Sequence, residues 1–168
     1  CEPIEILPDG SIRQVEMTSC GLNGGPLKRS GEYPAYIACN LYCPTENAYT
    51  GEPCSWLDSR FPKITQEGSD GDEFKGYIDN IRDGTTAGFK YFDCRDVRKI
   101  SVTVRGNWGG AIEIRTLWNK EKLGEIPLGS NTEWKSYSAN IRLPDGVNAL
   151  YLCYRGESVL ALKSFSLG

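Results

Sequence analysis

Residues 98–106, RKISVTVRG, decide the fold. Ile100, Val102 and Val104 take every second place, with Ser101 and Thr103 between them. A two-residue period sends one row of side chains to each face of a pleated strand, so the stretch is a half-buried strand and not one face of a helix. The period recurs in both directions. Residues 110–118, GAIEIRTLW, set Ile112 and Ile114 against Ala111, Glu113 and Arg115. Residues 121–129, EKLGEIPLG, form a strand interrupted by Gly124, and residues 133–143, EWKSYSANIRL, alternate again. After the turn LPDG, residues 148–156, NALYLCYRG, put Leu150, Leu152 and Tyr154 on one face, and SVLALKSFSL closes the chain. Upstream, FKYFDC at 89–94 is also of strand type. Strands punctuated by Gly, Pro and Asp, with no convincing helical stretch, predict an all-β antiparallel sandwich.

The first half is less regular. Residues 1–17 predict a hairpin, PIEIL and IRQVEM about the turn PDGS. SCGLNGGPLKRSGEYP is a glycine-rich connector, AYIACNLY a strand, and FPKITQEG another short strand. Residues 43–60 form a long inserted loop, and such loops often carry function.

The chain has 168 residues, enough for one core of ordinary size. Its formal net charge of −3 and scattered Lys and Arg argue against nucleic acid, whose phosphates need clustered cations. No apolar run is long enough for a spanning helix, so no membrane partner is expected. The opening CEPIEILPDG lacks the charged start and apolar run of a signal peptide, which suits a mature protein or a fragment of a larger one. Seven cysteines leave at least one unpaired; Cys43 and Cys54, flanking the turn-rich PTENAYTGEP, are the best disulfide candidates, and the others are as readily small buried hydrophobes.

Catalytic patterns are mostly missing. With no histidine, the common triads cannot form, and with no histidine and no C-x-x-C spacing zinc is poorly supported. DGDEFK fails as a calcium loop, because Phe74 and Lys75 stand where an oxygen ligand and a glycine belong. The acids, among them Asp70, Asp72, Asp79, Asp83 and Asp145, sit mainly in turns, whereas a glycosidase pair must project into a shaped cleft. No catalytic residue and no metal ligand is assigned.

The ordered series GYIDNIRDGTTAGFKYFDCRDVRKISVTVRG, GAIEIRTLWNKEKLGEIPLGSNTEWKSYSANIRLPDGVNALYLCYRG resembles carbohydrate-binding module family 6 over about residues 33–168. Residues 1–32 resemble the closing hairpin and linker of family 43 glycoside hydrolases, the arabinofuranosidases and xylosidases. The resemblance implies an antiparallel jelly-roll β-sandwich with a short N-terminal β-hairpin arm. It implies a non-catalytic, extracellular module that binds plant cell-wall polysaccharide, most of all xylan, arabinoxylan or xylo-oligosaccharides, beside an attached glycoside hydrolase domain. The alternatives are a part of a family 43 active site and a purely structural accessory module.

The resemblance also implies a site in which a Tyr and a Trp clamp one sugar ring. The matching residues are Tyr77 and Trp134, with Asp79 and Asn80 beside Tyr77. Two facing rings about 7 Å apart would suit a flat sugar, whose axial C–H bonds pack on aromatic faces. Glu157 and Ser158 occupy the loop where the family has an Asn, and Trp108 in GNWGG and Trp56 in the insertion are further ring candidates. Each of these rings has a plain alternative in core or edge packing, and so does Trp118 in TLWNK; Tyr137 and Tyr151 are expected in the core. No cofactor is expected: the positions matching the family's structural calcium site are Ala38, Asn40 and Lys163, and a lysine there repels a cation.

Overall fold

The computed structural model describes residues 1–44, 61–69, 75–106 and 108–168. Through them run β1 (Gly31–Pro34), β2 (Asn40–Tyr42), β3 (Lys63–Gln66), β4 (Gly76–Ile81), β5 (Thr86–Asp93) and β6 (Lys99–Arg105). These are followed by β7 (Ala111–Arg115), β8 (Gly124–Pro127), β9 (Lys135–Asn140), β10 (Val147–Arg155) and β11 (Leu160–Leu167). One sheet has the order β3-β4-β11-β6-β9, with β1 also on β11, and the other β2-β5-β10-β7-β8. Every ladder among them is antiparallel. From β4 onward the chain changes sheet at each connection except the β7–β8 hairpin. This is the expected jelly roll, and it gathers the crossing loops at the ends of the sandwich.

The inward faces meet in one core. Ile78, Val102, Val104, Leu162 and Phe165 come from the first sheet, and Phe89, Ile112, Ile114, Leu152 and Tyr154 from the second. Phe165 touches the rings of Phe89, Tyr33 and Phe92 at centroid distances of 4.5, 5.6 and 5.8 Å. Two irregularities make this possible. Asn80 adopts φ 58°, which lets Ile78 and Ile81, three residues apart, both face inward. The β6–β11 register shifts between Leu162 and Ser164, so Lys163 alone is passed over, Ser164 pairs with Thr103, and Phe165 and Leu167 regain the core.

The hairpin forms: Ile6 bridges Ile12, and the Gly10 N–H donates to the Leu7 carbonyl at 2.9 Å. The expected boundary at 32/33 lies within β1. Gly31 pairs with Leu167 and Glu32 with Ser166, and Leu27 already bridges Phe92. The sheet offered an open edge along the second half of β11, and the connector fills it. Cys20, Cys39, Cys94 and Cys153 are buried free thiols, and Cys1 is an exposed one. The pairing expected for Cys43 lies with Cys54, outside the described residues.

Phe165→Ala removes a ring with 1% exposure from the centre of this cluster and is expected to cost about 3–5 kcal/mol in urea unfolding. Ile4→Ala, at 61% exposure, should leave the midpoint within about 0.5 kcal/mol of the parent.

Candidate functional site

Because Ile78 takes the core, Tyr77 of β4 points outward from the six-stranded sheet. Trp134 immediately precedes β9, whose Lys135 pairs with Val104 of β6, and this sets it beside Arg105. The fold therefore brings Tyr77 and Trp134 together, with ring centroids 5.4 Å apart. The expected clamp geometry is corrected: the rings meet edge to face at 71°, touching, with no gap for a saccharide between them. The Arg105 guanidinium lies 4.3 Å from the Trp134 centroid and 4.9 Å from that of Tyr77, and the Lys163 ammonium is 5.7 Å from Trp134. Arg105 is also ion-paired with Glu67. An aromatic face carries partial negative charge, so a cation takes the surface that sugar C–H groups would use.

The other candidates divide by place. Asp79 is half-buried on β4, cross-strand from Lys63, and Asn80 forms the left-handed kink of that strand. Glu157 and Ser158 lie in the β10–β11 turn at one end of the sandwich, where Ser158 Oγ accepts the Trp108 N–H at 2.8 Å. Trp108 is 77% exposed and is not folded over the sandwich end. Gly110 serves backbone contact: a Cβ there, at φ 91°, would lie 2.4 Å from the Arg155 carbonyl oxygen. Trp56 lies outside the described residues.

On the opposite sheet the structure shows a site that the alternation pattern alone did not single out. With Leu150, Leu152 and Tyr154 inside, β10 turns Tyr151, Cys153 and Arg155 outward. Tyr42 of β2 and Trp118, just past β7, close over them. Trp118 sits edge-on to both Tyr42 and Tyr151, each at 5.4 Å. Together with Arg115, Arg155 and Thr86 they line an open cavity of about 140 Å³. Tyr151 is buried, as expected, but under Trp118 on the outer face and not between the sheets.

Glu113 fixes the charge of this cavity. It bonds Arg115 at 2.6 Å and lies 3.5 Å from both Arg155 and Lys122. Burial pushes its carboxyl up, but the Arg115 bond and the charges of Arg115, Arg155 and Lys122 outweigh this and hold it below its ordinary value of 4.5. An ionised Glu113 anchors two guanidinium groups and is poorly suited to donating a proton.

The residues at the expected calcium positions do not fit a calcium ion. The Ala38 methyl and the Lys163 ammonium supply no oxygen, and Asn40 pairs with Gly88 in the five-stranded sheet while Lys163 lies over Trp134 on the other.

These features define a jelly-roll module with aromatic, arginine-bearing outer faces. No family model matches the chain. A xylosidase/arabinosidase of Thermoclostridium stercorarium is 54% identical over 166 residues, 99% of this chain and 35% of that protein. The chain thus spans about a third of the length of the curated relative it matches. Among solved structures, CsCBM6-3 of Clostridium stercorarium in complex with cellobiose matches with a TM-score of 0.65 at 18% identity, covering 86% of this chain and 98% of that one. A family 6 carbohydrate-binding module of Clostridium cellulolyticum in complex with xylose gives 0.64 at 15%, covering 84% and 99%. A family 43 arabinoxylan arabinofuranohydrolase of Bacillus subtilis in complex with cellotetraose gives 0.64 at 14%, covering 99% of this chain and 33% of that one. The chain has the fold of the family 6 carbohydrate-binding modules and is related in sequence to part of a xylosidase/arabinosidase.

A depressed folded-state value for Glu113 means that its ion pairs contribute fully above about pH 4.5 and are lost as the pH falls through the lowered value. The urea midpoint of the protein should therefore drop below that pH, and Glu113→Gln should be less stable at neutral pH but flatter across the acid range.

Proposed function

We propose that the chain is a non-catalytic carbohydrate-binding module that holds xylan or arabinoxylan and keeps an attached glycoside hydrolase domain near its substrate, outside the cell. The observation that carries this is the open cavity walled by Tyr42, Trp118 and Tyr151. A pyranose presents C–H bonds to ring faces and hydroxyls at its edge, and this cavity offers rings with Arg115, Arg155 and Thr86 at their border. The relative's name and the sugars held by the family 6 structures support a saccharide ligand. The active-site alternative has less support, since Glu113, which bonds Arg115 and lies against Arg155, is held ionised by its cations.

Tyr77 and Trp134, with Asp79 and Asn80, form a second saccharide face in this proposal, open when Arg105 leaves the rings. Trp108, Glu157 and Ser158 form a rim at the sandwich end. The module works without structural calcium. A shallow open site desolvates few groups, so its affinity falls on the order of tens of micromolar to millimolar. No helix among the described residues is long and apolar enough to cross a membrane.

Electrophoresis through gels containing xylan, arabinoxylan, β-glucan or pectin tests the proposal. The protein should be retarded by the xylan-type polymers, and Trp118→Ala should lose at least about tenfold in apparent affinity. Trp134→Ala should lose less, because Arg105 already covers its ring. Loss in Trp134→Ala with full retention in Trp118→Ala would move the site to the other sheet, and equal migration in every gel would overturn the function.

A further inference from the structure

The cavity on the five-stranded sheet has a charge of one sign on its wall. Arg115 and Arg155 line it, and no Asp or Glu is among its described lining residues. Its other polar side chains, Thr86, Asn119 and the tyrosine hydroxyls, are neutral at pH 7. The counter-ions lie behind this wall. Glu113, whose side chain is only 12% exposed, serves Arg115, Arg155 and Lys122 at once. Lys122 has Glu125 as well, at 2.5 Å.

Arg155 is the loosely held member. Its Nε stands 3.5 Å from Glu113, and its Nη1 stands 3.8 Å from Asp83 in the β4–β5 turn. Asp83 also accepts the Gly156 N–H at 3.1 Å. Charge-assisted bonds between guanidinium and carboxylate run about 2.7–2.9 Å, so neither contact saturates Arg155. Its side chain is 47% exposed. Arg115 is bonded to Glu113 at 2.6 Å through Nη2, yet its Nε is buried without a hydrogen-bond partner. A guanidinium carries five N–H donors and no acceptor. The wall is therefore rich in cationic donors and lacks an anionic acceptor. A sugar hydroxyl both donates and accepts, whereas a carboxylate only accepts, and the wall suits the carboxylate better.

We propose that this cavity takes a uronic acid residue of the saccharide chain, with Arg155 bonding its carboxylate and Arg115 adding charge beside it. The inference rests on the reading that the cavity holds saccharide, and it names the sugar class. The ring of the uronic acid packs on Trp118 and Tyr42, and its carboxylate turns toward Arg155. The chain's net charge of −3 does not attract an acidic polymer, so the preference comes from these two arginines.

Isothermal titration of the protein tests this with a xylo-oligosaccharide bearing a glucuronic acid branch. The control is the same oligosaccharide with its carboxyl reduced to a primary alcohol. The acid form should bind at least about fivefold more tightly. That ratio should shrink as salt rises from about 0.01 M to about 1 M, because Arg155 is partly exposed and the screening length falls from about 30 Å to about 3 Å. Arg155→Gln should bring the ratio close to one, and Arg155→Lys, which keeps the charge, should restore part of it. Equal affinity for the two forms in the parent protein would overturn the proposal and leave saccharide binding standing. A ratio undiminished in folded Arg155→Gln would overturn it as well. Oligogalacturonate bound in an Arg155-dependent way, with neither xylo-oligosaccharide bound, would support uronic acid recognition and sink the xylan reading. Failure to bind any of the three would overturn both.

Discussion

Phe165 is the residue around which the two sheets close. It reaches the core because β11 shifts register at Lys163, and from there it meets Tyr33, Phe89 and Phe92. β11 is also the strand that β1, β4 and β6 all pair with. Moving the register by one residue would turn Phe165 and Leu167 to solvent and Ser164 and Ser166 inward. The aromatic cluster, the closure of β1 by the connector, and the side of the sheet to which Lys163 turns all depend on that one shift.

Once the inward residues are spent on the core, the outward residues of each sheet are free for recognition, and the two faces have taken different forms. On the six-stranded sheet, Arg105 stacks on Tyr77 and Trp134, and the aromatic surface is satisfied from within the molecule. On the five-stranded sheet the cations are drawn away from the rings, because Glu113 binds Arg115 and Arg155 from below. Tyr42 and Trp118 then keep part of their surface open over a cavity. The position of a carboxylate relative to its arginines separates a closed aromatic pair from an open one.

Much of the architecture was legible in the chain. The alternation in RKISVTVRG, GAIEIRTLW and NALYLCYRG placed Ile100, Val102, Val104, Ile112, Ile114, Leu150, Leu152 and Tyr154 on the faces they occupy. The period failed at Asn80 and at Lys163, where a kink and a register shift each cost one place, and a bulge leaves no periodic trace. The candidate site was legible only as neighbours: Tyr77 and Trp134 do meet, 57 positions apart. That Arg105 would lie over both rings depended on cross-strand placement across β6 and β9. The Tyr42–Trp118–Tyr151 group draws on two strands and a loop that are distant in sequence and adjacent in space.

By itself the sequence determined the strand periods, the turns between them, the hairpin at the start and the choice of a two-layer antiparallel fold. These follow from short-range rules, in which each residue's face is set by its near neighbours. Only the tertiary structure decided which outward rings are covered and which stand open, and where Glu113 sends its arginines. Such contacts form between strands whose order in the sheet is not their order in the chain, and no local pattern encodes that order.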